Sequence, residues 1–316
     1  MAYDNQHFSP VFANEPWANE HRRYTSYYRD VHLKGVRKSS PGRKQWGRQR
    51  RLWPLEVELA LNKDLEGPTA PIYRDLVCGV APVLRDRVKW AQFLLSQVVR
   101  TPTFIRYEQG AKKLAGIDVE VLHDRVGCEH CGDLVCVTAR RWCLLVADEA
   151  DYFVRTDNPV HLTGFVEREA SAIYYPLSPH VCFVACPLVE GDLLVPLNQE
   201  SIPAWPLPKG GAWRVNFYLA KHADISIVLR PDQDSETANA MFGEVLGKYP
   251  QPPFSLHAPE SDGIDAAFES VRLYQSAIDG LEYPAWSADD LERVGADLLS
   301  KVLTLESDER EAESEA

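Results

Sequence analysis

Long apolar runs are missing from this chain. Nowhere do about 18 consecutive apolar residues occur, so no transmembrane helix is expected. The opening MAYDNQHFSP has neither a basic stretch nor an apolar stretch, so no secretory leader is expected. No segment repeats at a fixed period, which argues against solenoids and propellers. Gly-x-Ser-x-Gly, His-Glu-x-x-His and the phosphate-binding P-loop are absent, and no Glu-x-Lys strand follows Asp157. The serine-hydrolase, zincin, nucleotidase and restriction-type nuclease templates therefore fit poorly. Neither Asn5 nor Asn158 is followed two positions on by Ser or Thr, so neither is a glycosylation acceptor.

What is present describes an ordinary globular chain. Its 316 residues are 45% hydrophobic and 25% charged, enough to bury a core without disulfides or metal. The net charge of -12 hides two opposite ends. Residues 1–53 carry eleven Lys and Arg against four acids, +7, which leaves -19 for residues 54–316. Together these features predict a soluble, acidic, cytoplasmic protein.

The basic excess is concentrated. Lys34, Arg37, Lys38, Arg43, Lys44, Arg48, Arg50 and Arg51 fall between Asp30 and Glu56 with no acid among them, and Trp46 and Trp53 lie within or beside the run. Cations interleaved with aromatics suit phosphate backbones and stacked bases. This makes Arg37, Lys38, Arg43, Lys44, Arg48, Arg50 and Arg51 candidate contacts to nucleic acid. The plainer reading is a solvated, mobile loop around Ser39-Ser40-Pro41-Gly42. Residues 306–316 hold six acids and one Arg with no aromatic, the composition of a disordered tail, which could fold back on the basic run.

Periodicity predicts α+β architecture: a helical bundle packed on a mixed or antiparallel sheet, with extra C-terminal helices. A single domain spans 1–305, with a helical lobe over about 52–115, a sheet lobe over about 116–230 and C-terminal helices over about 236–305. In the helical lobe, Leu55, Leu59 and Leu61 mark a first helix ended by Glu66-Gly67-Pro68. A second covers 71–78 and a third 83–99, with Val83, Leu84, Val88, Ala91, Leu94, Leu95, Val98 and Val99 as its apolar positions. A fourth covers 104–115. Strands are predicted at 134–138, 142–147, 152–155, 172–177, 181–186, 193–196 and 225–229, with a hairpin turn at 148–151. Residues 199–211, holding three prolines, read as a surface loop, and helices follow at 212–222, 236–249, 264–281 and 289–305.

Seven cysteines, an odd number, make a disulfide framework unexpected. Cys128-Glu129-His130-Cys131-Gly132 forms a Cys-x-x-Cys-Gly turn, half of many zinc sites. Cys128 and Cys131 are thus candidate ligands for a structural zinc, with His123 or Cys136 able to complete the set; plain thiols are the alternative. Cys143, Cys182 and Cys186 lie in apolar strands and read as small core residues.

Several stretches in order resemble the uncharacterised domain family numbered 4238, found in bacteria, archaea and fungi. They are His7-Phe8-Ser9-Pro10 with Phe12; Gln97-Val98-Val99-Arg100-Thr101-Pro102; and Trp142-Cys143-Leu144-Leu145 leading to Phe153-Val154-Arg155-Thr156-Asp157-Asn158-Pro159-Val160. Tyr175-Pro176-Leu177-Ser178-Pro179 follows, and then Asn216. The basic run, the Cys-x-x-Cys turn and the helical C-terminal part depart from that pattern. The resemblance brings no established activity.

The polar residues of these motifs are His7, Glu56, Glu58, Glu66, Gln97, Arg100, Asp157 and Asn158. A His to move a proton, carboxylates to hold a divalent metal and an Arg to bind phosphate could cleave a phosphodiester or perform another hydrolysis. His7, Arg100 and Asp157 are therefore the candidate catalytic set. Structural roles compete: Asp-Asn-Pro is also a plain turn, and Arg100 could close a helix. The competing function is a non-catalytic binding module, antitoxin-like or defence-associated, whose acidic surface occupies a basic protein partner.

Overall fold

The structure is a computed structural model and describes residues 5–30, 35–50, 52–53, 55–105, 134, 137–138, 140–163, 171–187 and 201–230. The Cys-x-x-Cys turn, Arg51, the predicted helices beyond residue 235 and the predicted strand at 193–196 lie outside these residues.

The expected α+β architecture is present. Among the described residues the strands form three sheets. A two-stranded antiparallel ribbon joins β1 (Asn5–His7) to β4 (Arg48–Arg50). An antiparallel sheet runs in the order β3 (Gly35–Ser39), β2 (Thr25–Asp30), β11 (Ser226–Leu229), β6 (Arg155–Thr156). The largest sheet runs β10 (Ala204–Pro206), β5 (Trp142–Val146), β9 (Val181–Ala185), β8 (Ile173–Pro176), β7 (His161–Leu162). It is antiparallel except at β10, which lies parallel to β5.

Helices cover the large sheet. After the short α1 (Val11–Asn14), α2 (Leu55–Ala60) continues through a wide turn, Leu61–Glu66, into α3 (Gly67–Val77). The expected stop at Glu66-Gly67-Pro68 does not occur. The Gly67 amide donates five residues back to the Asn62 carbonyl, so the turn is already widened where Pro68 has no N–H to give. The chain therefore keeps its helical course past two prolines.

Helix α4 (Leu84–Val99) falls where its periodicity puts it, but its buried face is rotated from the aliphatic stripe. Trp90, Ala91, Phe93, Leu94 and Gln97 are buried, whereas Val88, Leu95, Val98 and Val99 of that stripe are only half-buried. The aromatics win this face because they fill more volume against the sheet. Trp90 stacks on Phe93 at 5.2 Å and meets the edges of Tyr175 and Phe183 at 5.7 and 5.5 Å. At the end of the same core, buried Arg87 lies 3.6 Å over the ring of Trp142 and donates to the carbonyls of Thr138 and Arg140. Burial lowers its pKa to about 9.

Three further expectations are corrected. Leu134, Val137 and Thr138, read as strand, are helical, and Leu134 and Val137 are both buried at a spacing of one helical turn. The turn at 148–151 joins no hairpin. β5 pairs with β9 and β10, while the chain beyond the turn runs extended and buried to β6, which pairs with β11 in the other sheet. Asn216, on α5 (Gly211–His222), holds that crossing segment: its side chain accepts from the Val154 amide at 2.9 Å and donates to the Tyr152 carbonyl at 2.6 Å. Finally, the basic run is loop only at its centre, residues 40–47, which holds Arg43 and Lys44; its flanks are strands. Arg37 and Lys38 belong to β3, opposite Tyr28 and Tyr27, and Arg48 and Arg50 belong to β4.

Candidate functional site

The N-terminal ribbon brings two of the three candidate catalytic residues together. His7 on β1 is half-buried, and its carbonyl accepts a hydrogen bond from Arg100 Nη2. Arg100 closes α4 with no exposed surface. Its Nη1 is 2.7 Å from Glu66 Oε1, at the end of the wide helical turn, and its guanidinium carbon is 5.8 Å from the Trp53 ring centroid. The pair is buried on the Arg100 side and 14% exposed on the Glu66 side. The wide turn thus positions the one carboxylate that neutralises this arginine among the described residues. Among the described residues, three buried polar atoms in this region have no hydrogen-bond partner: His7 Nε2, Gln97 Oε1 and Arg100 Nε.

Asp157 does not join them. Its Oδ1 accepts from the Asp224 amide at 3.0 Å, and its Oδ2 accepts from the Ile225 and Ser226 amides at 2.6 and 3.0 Å. It is buried, and its own amide donates to the Ser226 carbonyl. Burial and the nearby Asp224 push its pKa up to about 7, against the pull of the three amides. Asn158 completes the clamp by donating to the His222 carbonyl at 2.7 Å. The Asp-Asn-Pro stretch therefore fastens the end of α5 and the start of β11 to β6. Both carboxylate oxygens face backbone amides, so what this geometry supplies is a turn.

A residue not chosen from the sequence has the more unusual environment. Arg155, two positions before Asp157, is fully buried. Its Nε donates to Asn14 Oδ1 at 3.1 Å, Nη1 to the Pro176 carbonyl at 3.0 Å, and Nη2 to the Tyr175 hydroxyl at 2.7 Å. Its guanidinium carbon lies 4.4 Å from the Tyr175 ring centroid. Among the described residues no carboxylate pairs with it. The signal was a charged residue inside the apolar run from Tyr152 to Thr156, which only a buried, fully bonded guanidinium makes sense of. Its partners come from α1 and β8, and it lies on β6 itself, so Arg155 ties the N-terminal segment to both larger sheets.

The basic residues divide by their partners. Arg37 pairs with Asp30 at 3.0 Å, and Arg43 pairs with Glu15. Lys38 is exposed on β3. Lys44, Arg48 and Arg50 are exposed and make no ion pair among the described residues. Arg48 and Arg50, two residues apart on a strand, share one face, and His7, directly opposite Arg48, shares it too. The tryptophans of the run do not. Trp46 is buried and donates to Ser226 Oγ at 3.0 Å, and Trp53 is buried and donates to Glu58 Oε2 at 2.8 Å. The expected interleaving of cations with stacking aromatics is therefore corrected: the aromatics anchor the ribbon to the core, and the cations alone reach the surface.

Cys128 and Cys131, with His123 and Cys136, lie outside the described residues. Within these, no cluster of three or more His, Cys, Asp or Glu could hold a metal ion. No described helix is long and apolar enough to cross a membrane. The chain matches no family model, no curated protein and no solved structure.

Proposed function

We propose that this chain is a binding module for nucleic acid, with the β1–β4 ribbon as its contact surface. The observation that carries the reading is the pair Arg48 and Arg50: exposed, without an ion pair among the described residues and on one face, roughly 7 Å apart along the strand. Such a pair suits two phosphates of one backbone, and Lys44 is exposed in the turn that precedes β4. Because Trp46 and Trp53 point inward, the surface offers charge rather than stacking, so binding is electrostatic and tolerant of sequence.

One observation favours a second reading, cleavage of the bound phosphodiester. His7 shares the face of Arg48, and its Nε2 is buried without a hydrogen-bond partner among the described residues, while Glu66 and Arg100 lie behind it. A divalent ion for such chemistry would need carboxylates, and Asp157 has both oxygens occupied by amides. The binding reading is therefore preferred. Titrating labelled single-stranded and duplex DNA and RNA at rising salt, with and without divalent metal, tests both. Salt-sensitive binding without product supports the module. Cleavage that is lost in His7→Gln but kept in Asp157→Asn supports the second reading. Absence of binding at low salt rejects both.

A further inference from the structure

We propose that Cys143 and Cys186 form a redox modification site, closing to a disulfide in the presence of a hydroperoxide. The two sulfurs are 3.4 Å apart. Cys143 lies on β5 opposite Val184 of β9, and the Cys186 amide, just past the end of β9, donates to the Arg141 carbonyl at 2.7 Å. The cysteines are thus diagonal neighbours on one ladder. Their side chains meet over Ala172 and Val184 on one face of the sheet. A disulfide needs a sulfur separation of about 2.05 Å, which leaves roughly 1.4 Å to close by side-chain rotation.

The two thiols are unequal, and the inequality sets the order of events. Cys143 is 2% exposed, while Cys186 is half-buried at the sheet end. The contact with Cys143 and the positive charges of Arg140 and Arg141 lower the Cys186 pKa against the effect of burial; the same contact, with burial, raises that of Cys143. Arg140 is held beside it, donating through Nη1 to the Cys186 carbonyl at 3.0 Å and through Nη2 to Ser171 Oγ at 2.9 Å. Cys186 is therefore the attacking thiolate. Its sulfur attacks one oxygen of hydrogen peroxide and the O–O bond breaks. Cys186 becomes a sulfenic acid, and hydroxide leaves to take up a proton as water. The Cys143 sulfur then attacks the Cys186 sulfur, forming the S–S bond. The departing hydroxide takes the Cys143 proton as a second water. Two thiols lose two electrons and one peroxide becomes two waters.

The third cysteine of this region stays out of the reaction. Cys182 is fully buried and its sulfur faces the Phe183 carbonyl at 3.5 Å. Cys78, exposed on the helical side, is the internal control for a thiol that has access alone.

The experiment treats the full, reduced chain with hydrogen peroxide under native conditions, quenches with an alkylating reagent, and maps peptides by mass spectrometry. The expected result is a peptide pair linking Cys143 to Cys186, formed at least about tenfold faster than oxidation of Cys78 and reversed by dithiothreitol. In Cys143→Ala the sulfenic acid on Cys186 should persist and be trapped by dimedone. Cys186→Ser, at a half-buried position, should leave Cys143 reduced throughout. The proposal is overturned if wild-type chain yields no Cys143–Cys186 peptide, or if Cys186 is oxidised no faster than Cys78. Because the unsubstituted chain is mapped, that outcome does not depend on whether either variant folds.

Discussion

Asp157→Ala separates a turn from a metal ligand. The substitution removes both carboxylate oxygens and leaves the amides of Asp224, Ile225 and Ser226 without their acceptor. Ser226 is buried, Asp224 is half-buried, and Ile225 is 43% exposed. The Ser226 amide should therefore cost the full penalty of an unmade buried bond, about 1–3 kcal/mol, while water recovers part of the other two. A loss of about 2–4 kcal/mol follows, which lowers Tm by roughly 3–6 °C for a chain of this size. Asp157→Asn keeps one carbonyl oxygen, which can serve Ile225 and Ser226 as Oδ2 now does. It should fall between wild type and Asp157→Ala. Differential scanning calorimetry of the three proteins, beside the nucleic-acid titration, provides the assay. Nucleic-acid affinity should be unchanged in both variants at temperatures well below their midpoints. The turn assignment is refuted if Asp157→Ala melts within about a degree of wild type, or if it abolishes a metal-dependent cleavage while remaining as stable.

Other outcomes follow from single contacts. The His161 and His222 rings stack at 4.9 Å, and burial together with neighbouring positive charge lowers their pKa values to about 3 and about 4. The unfolded chain, titrating near 6.5, then binds more protons than the native one below that pH, so stability is full above about 6.5 and falls with acid. Comparing wild type with His161→Phe between pH 6 and 4 should show wild type losing about 1.4 kcal/mol more per pH unit; the opposing titration of Asp157 cancels in that difference, and parallel urea-denaturation profiles would exclude the sign. Gly47 has φ +74°, and a Cβ there would lie 3.0 Å from Ser9 Cβ and 3.2 Å from the Ser9 carbonyl. Gly47→Ala should cost about 1–3 kcal/mol from the left-handed backbone and the crowding, seen as a lowered urea midpoint together with weaker nucleic-acid binding, because Gly47 leads directly into β4.

The legible part of this fold is its periodic part. Trp142–Val146, Ile173–Pro176, Val181–Ala185, Leu84–Val99 and Gly211–His222 lie within a residue or two of where periodicity puts them, because apolar residues recur along each of them. The ribbon and β2 give no such signal because their strands are polar or short, and their pairing is set by contacts distant in sequence. Gln6 illustrates this, bonding Leu52 and Trp53 from 46 and 47 residues away. The parallel edge strand β10 is masked by its prolines, which an edge position tolerates. At the site, chemistry-bearing residue types are easy to pick out, but their roles depend on burial. Asp157 and Arg100 are ionisable residues used as braces, and Arg155 carries its charge in the interior on neutral partners. Sequence spacing gives no sign of which oxygen faces an amide and which faces water.

The central claim, that the exposed arginines of the ribbon bind phosphates, is tested most directly by the salt dependence of affinity in Arg48→Ala/Arg50→Ala. Fluorescence anisotropy with a labelled single-stranded oligonucleotide gives the slope of log affinity against log salt concentration. The double variant should bind more weakly at low salt and show a slope smaller in magnitude by about 1.4 units, roughly 0.7 per lost contact, with an unchanged Tm. An unchanged slope in the double variant, or binding by wild type that does not weaken with salt, would contradict it.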